Sequence, residues 1–201
     1  MVVLGGKHHS VLDRWLAGST SINVVRNTEV PVLIMGGRRT PVGRVLAAVD
    51  LSAAAQPTID AAEQLAALYN AELRVLNVLE PLDAIPEAPN YDLGPYYARI
   101  EEYLKTRVWP LVRAPRAETL TRYGYPVVAI REHVREWNPD VVVVGSHGKG
   151  WVDRLLIGSA TEGLLNALPT AVLVVPVHAQ LAAPNRQSLK PETTGGGLGR
   201  R

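Results

Sequence analysis

The sequence predicts an α/β fold built on an open parallel sheet, and three observations carry that prediction. Between residues 44 and 176, short aliphatic runs alternate with segments of helical period, the pattern of successive βαβ units. Hydrophobic residues make up 47% of the 201-residue chain, with no Phe against four Trp and seven Tyr, so the core is aliphatic and suits strands covered by helices on both faces. Residues 1–36 also repeat residues 141–176 without a gap, which places a second, partial copy of the same architecture at the N-terminus.

Five strands are readable in the main unit: Arg44 to Val49, Leu73 to Val78, Ala117 to Tyr123, Val141 to Val144 and Ala171 to Val175. The segments between them repeat apolar residues at helical spacing. Ile59, Ala62, Ala66 and Tyr69 share one face; Tyr97, Ile100, Leu104 and Val108 share a second. Val127, Ile130, Val134 and Trp137 form a third, and Ile157, Thr161, Leu164 and Leu168 a fourth. Pro57 suits a first helical turn, whereas Pro110 should end or kink its helix, since it lacks an N–H and clashes with the preceding turn. Residues 80–95 hold four prolines and four acids with no base, and read as an extended acidic loop that is either a lid or simply solvated.

The repeat divides the chain. Under a shift of 140 residues, Val2, Val3, Gly5, Asp13, Arg14, Leu16, Gly18, Ser19, Val32 and Leu33 meet identical partners. Residues 1–36 therefore read as the last strand-helix-strand of a domain related to the one at 44–176, joined by a linker at 37–43 and followed by a basic, unstructured tail at 177–201. A lone βαβ unit cannot bury both faces of its strands, so Pro31 to Met35 is expected to extend the main sheet at Ala171 to Val175. The arrangement is that of a fragment or truncated descendant of a tandem protein, with Met35 an alternative start.

Charge narrows the function classes. The sequence pI is about 9.0. Residues 177–201 carry Arg186, Lys190, Arg200 and Arg201 against Glu192, which leaves residues 1–176 with 17 basic and 18 acidic side chains. The folded part is not basic, which argues against a nucleic-acid partner. No apolar run approaches the ~18 residues of a membrane helix, and Met1 to Gly6 lacks the features of a secretory signal. The absence of Cys removes disulfides and thiolate chemistry and fits a cytoplasmic protein.

The densest functional signal is Val144-Gly145-Ser146-His147-Gly148-Lys149-Gly150, followed by Gly158-Ser159-Ala160-Thr161. A strand ends at Val144, glycines let the chain turn back with N–H groups exposed, and a helix starts near Gly158. Its unpaired N–H groups and positive dipole end, with the hydroxyls of Ser159 and Thr161, form an anion site suited to phosphate. The plainer alternative is a glycine-rich connection that merely turns. No Walker A motif is present, because Gly148-Lys149 is followed by Gly150. His8-His9 lacks a third ligand at metal-binding spacing, so no metal site is expected.

Together these residues resemble the universal stress protein family, and in particular its nucleotide-binding branch, whose signature Gly145, Gly148, Gly158 and Ser159 satisfy. The resemblance spans residues 44–176 and implies a five-stranded parallel sheet of order 3-2-1-4-5, usually dimerised through the last strand. It implies adenine and ribose contacts at Ala48, Asp50 and Val78, and phosphate contacts at Gly145, His147, Gly148, Gly158, Ser159, Ala160 and Thr161, with backbone contacts from Val144. The implied ligand is ATP with accompanying Mg2+, held by a sensor or regulator that is not an enzyme. Leu51 and Ala171 depart from the family pattern, standing where Gly and Pro are usual. In the first copy, His8 replaces the equivalent of Gly148, so that copy is expected to lack a site. The competing reading is a dimerisation module of the same fold without ligand, and the intact glycine motif weighs against it. His147, Lys149 and Arg154 either meet phosphate or face solvent, and the four Trp are expected to pack against helices.

Overall fold

A computed structural model describes residues 1–5, 14–35, 41–81, 94–146, 157–167 and 170–177, with side chains in the first helix described from residue 21. The elements follow in chain order: β1 (Val2–Gly5), α1 (Arg14–Asn27), β2 (Val32–Met35), β3 (Arg44–Val49), α2 (Ala55–Tyr69), β4 (Glu72–Leu79) and α3 (Gly94–Tyr103). They continue with β5 (Glu118–Tyr123), α4 (Pro126–Trp137), β6 (Val141–Gly145), α5 (Ser159–Ala167) and β7 (Ala171–Val175).

All the strands join one seven-stranded sheet of order β1-β2-β7-β6-β3-β4-β5. The five strands of the main unit keep the expected order within it, with parallel pairing from β5 through β7. The expected five-stranded, wholly parallel sheet is corrected at one edge, where β2 pairs antiparallel with β7. The physical reason is the need to bury β2: left alone it would expose Val32 and Ile34, whereas on β7 they are 1% and 0% exposed.

Register makes the relation between the two copies visible. Val2 pairs with Val32 in β1–β2, and Val142 pairs with Val172 in β6–β7, the same offset in each copy. Across the seam Val32 faces Val174, Leu33 faces Leu173 and Ile34 faces Val172. Because Leu33 and Leu173 are equivalent positions, a local two-fold axis passes through that pair. Within the chain, β2 occupies the edge of β7 through which the resemblance implies dimerisation.

Two apolar layers cover the sheet. On one face α2 and α3 bury Val45, Ala47, Val75, Val143 and Leu173. On the other, Ile22 and Val25 of α1, Ile130 and Val134 of α4, and Leu164 and Leu165 of α5 cover Leu46, Leu76, Val142, Ile34 and Val172. The α4–α5 contact is close: a Cβ at Gly163 would lie 2.6 Å from Cγ2 of Val127, so a side chain there requires Val127 or one of the helices to shift. Helices α2 and α4 end at Asn70 (φ 51) and Asn138 (φ 50), a residue type that tolerates the left-handed conformation.

The expected faces hold with two differences. Tyr69 is 52% exposed at the last residue of α2, whereas Ile59, Ala62 and Ala66 are buried. Pro110 acts before its own position: Leu104–Val108 loosens into a π turn, with Trp109 N–H donating to the Leu104 carbonyl, and Trp109–Leu111 finishes as a 3-10 turn. Of the acidic loop read at 80–95, residues 82–93 lie outside the described residues, as do Leu168 and the tail from 178, while Gly94 and Pro95 already belong to α3.

Under α4, His133 is 2% exposed and neither ring nitrogen has a hydrogen-bond partner. Arg74 lies over the Trp137 ring at 4.5 Å and bonds Glu118 at 2.7 Å, while Arg122 forks onto Glu136. Burial first, and then the positive charges of Arg122 and Arg74, hold the imidazole pKa below its ordinary value despite Glu136 and Glu118.

Two expectations follow. Removal of residues 1–36 bares the β7 edge, so the shortened chain should self-associate where the full chain does not; light scattering on the full and the shortened chain checks this. Below the ordinary histidine pKa of 6.5, the unfolded chain takes up a proton that folded His133 resists. The stability present above that pH is therefore lost as pH falls through the lower folded pKa. Urea midpoints at neutral and acid pH should show the loss, and it should shrink in His133→Leu.

Candidate functional site

The carboxyl ends of β3, β4 and β6 open into a cleft of about 550 Å³, within the range of small-molecule sites. Nine of the eleven residues singled out from the sequence line it. From the strand ends come Ala48, Asp50, Val78, Val144 and Gly145, and from the start of α5 come Gly158, Ser159, Ala160 and Thr161. His147 and Gly148 fall outside the described residues, as do Lys149 and Arg154.

The α5 side is held in place by two bonds that span the loop. Gly158 N–H donates to the Ser146 carbonyl at 3.0 Å, and Thr161 Oγ1 donates to the Gly145 carbonyl at 2.7 Å. Glu162 N–H then donates to the Gly158 carbonyl, so the N–H groups of Ser159, Ala160 and Thr161 have no acceptor within the helix. These three donors lie at the positive end of the helix dipole and form a cradle of N–H groups at the cleft. Thr161 is 4% exposed, and its one hydroxyl proton is spent on Gly145, so its side chain positions the cradle and can offer an anion only its backbone N–H. Exposed Ser159 keeps its hydroxyl for a ligand.

The opposite side presents acceptors. Asp50 Oδ1 takes hydrogen bonds from Ser52 N–H at 3.0 Å and from Ser52 Oγ at 2.5 Å. That turn starts α2 and orients the carboxylate, while among the described residues no bond engages Oδ2. Val78 is a half-buried apolar wall beside it.

Sequence reasoning missed several contributors. Glu80 places a second carboxylate at the cleft, where Asp50 alone was expected. Tyr96 and Ile100 of α3 close the far wall, and Thr58 and Asn77 lie deep within it. A signal for Asn77 was available, since an amide inside an otherwise aliphatic strand needs a partner or a purpose. Leu51 lines the cleft and packs on the core, and Ala171 pairs regularly with Val141, so neither departure from the family pattern disturbs the sheet.

An open α/β sheet with a crevice outside the carboxyl ends of its strands, next to a helix N-terminus, places the chain in the doubly wound class. The universal stress protein family model matches residues 41–176, and the chain belongs to that family. It is 29% identical over 195 residues to a universal stress protein of Mycolicibacterium smegmatis, covering 87% of this chain and 61% of that protein. It is 30% identical over 138 residues to universal stress protein A homolog 1 of Coxiella burnetii, covering 65% of this chain and 94% of the homolog. A universal stress protein structure from Archaeoglobus fulgidus shares the fold with a TM-score of 0.58 at 22% identity, over 87% of this chain and 59% of that one. UspA from Lactobacillus plantarum does so with a TM-score of 0.54 at 24% identity, over 68% and 99%. The chain thus spans about 61% of the length of the relatives it matches across both copies. Among the described residues, no helix is long and apolar enough to cross a membrane, and no group of three or more His, Cys, Asp or Glu could hold a metal ion.

Thr161→Val should lower unfolding stability by about 1–2 kcal/mol, the cost of one part-buried hydrogen bond. Ser159→Ala should cost far less, and denaturant melts of the two variants side by side make the comparison.

Proposed function

We propose that the cleft binds an adenine nucleotide, ATP with its accompanying Mg2+, and that the protein serves as a sensor or regulator in a cytoplasmic stress response. The observation that carries this reading is the polarity of one continuous cleft: three free helix N–H donors at one end and the Asp50 carboxylate with apolar Val78 at the other. Phosphates fit the first, and a ribose or base fits the second. Ser159, Ala160 and Thr161 N–H groups would hold phosphate, with Gly145 and Gly158 keeping the backbone open to it; Asp50 Oδ2 would accept from the ribose or base. Mg2+ would arrive with the nucleotide and offset phosphate charge.

We read the role as binding without rapid turnover. Fast phosphoryl transfer requires metal carboxylates and a base placed at the transferred group. Asp50 and Glu80 follow β3 and β4, whereas the N–H cradle belongs to α5. A ligand-free assembly module is the competing role. The occupied β7 edge speaks against it, because the strand such a module would offer is already paired with β2.

The test is to denature purified protein and assay the released nucleotide, then to follow melting with added ATP. A ligand that binds only the folded state stabilises it by ~2.7 kcal/mol at a hundredfold excess over Kd. The melting temperature should rise with ATP, and Gly148→Ala should abolish the rise. Absence of both bound nucleotide and any rise would defeat the proposal.

A further inference from the structure

The deep wall of the cleft, on the face covered by α2 and α3, holds two buried polar side chains whose bonding leaves acceptors toward a ligand. Asn77 is 1% exposed, and its Nδ2 donates to the Val49 carbonyl at 2.8 Å. That bond fixes the amide, since the reverse orientation would set oxygen against oxygen. Asn77 Oδ1 is consequently buried with no partner. Thr58 is also 1% exposed, and its Oγ1 donates its only proton to the Ala54 carbonyl at 2.7 Å, so toward the cleft it offers lone pairs alone. Val49, Ala54, Ala55 and Ile100 line the same cleft. An orphaned acceptor in such apolar surroundings costs free energy that a ligand donor would return.

We infer that Asn77 and Thr58 form a subsite for an exocyclic amine, and that they select a 6-aminopurine over a 6-oxopurine. The inference rests on the nucleotide reading above and adds to it the residues that choose the base. With phosphate at α5, the base enters the compartment between α2 and α3. The amino group of adenine donates two N–H bonds there, to Asn77 Oδ1 and Thr58 Oγ1. A purine with a carbonyl at that position brings a third oxygen against two acceptors, and a site built to pair one group rejects the analogue that cannot pair. Neither residue touches the phosphate cradle, so the choice of base and the hold on phosphate are separable.

Calorimetric titration with Mg·ATP and Mg·ITP decides the matter, because the two ligands carry the same triphosphate and ribose. The wild-type chain should bind ATP about tenfold or more tightly than ITP. Asn77→Leu keeps the branched shape and removes the acceptor, so it should weaken ATP, relieve the opposition to the ITP carbonyl and bring the ratio near one. Thr58→Val should move the ratio the same way by a smaller factor, and it decides the case if Asn77→Leu does not fold. Equal wild-type affinities, or an equal loss of both ligands in the variants, would overturn the amine subsite and leave nucleotide binding standing. Failure of the wild type to bind either ligand would overturn both.

Discussion

Everything at the N-terminal edge of this molecule depends on the antiparallel pairing of β2 with β7. The strand-helix-strand of the first copy is too small to bury both faces of its own strands. By pairing with β7 it acquires hydrogen-bonded neighbours, and α1 settles beside α5 over Ile34 and Val172. The same pairing leaves β7 with neighbours on both sides and all five of its residues buried. One seam thus orders the partial copy and closes an otherwise sticky edge of the complete one. The opposite face of the partial copy gains less: Val3 is 56% exposed and Met35 36%, because α2 and α3 serve only the main unit there.

The cleft inherits its polarity from where strands stop. Parallel strands aim their carboxyl ends at one rim, and the helix that follows β6 brings its free N–H groups to that rim. Strands β3 and β4 end beside it with Asp50, Asn77 and Val78. Donors and acceptors therefore collect at opposite ends of one cavity without any special device. The two bonds that carry α5 onto the end of β6, from Gly158 and Thr161, keep the donor end in place across the intervening loop.

Much of this was legible in the sequence, and the reasons are local. Runs such as Val141 to Val144 have no plausible home but a central strand, and the glycine spacing announces a turn into a helix before any fold is known. The 140-residue repeat pointed to the pairing of Val32–Met35 with Ala171–Val175. What could not be read was set by tertiary partners. The antiparallel sense of the seam depends on which edge is free, and the π turn at Leu104–Val108 depends on how the chain relieves Pro110. The Thr161 hydroxyl reads as a phosphate donor in the sequence, but it donates to the Gly145 carbonyl, a bond no spacing reveals. Asn77 and Thr58 sit 19 residues apart on different elements, and only the packing of α2 on the sheet brings both into one wall.

The local two-fold axis at Leu33 and Leu173 makes β7 an element shared by both sides of the seam. One of its edges pairs with β6, which ends at the cleft, and the other with β2. A displacement of β6 therefore reaches β2 through β7, and the contact of α1 with α5 gives a second path across the same seam.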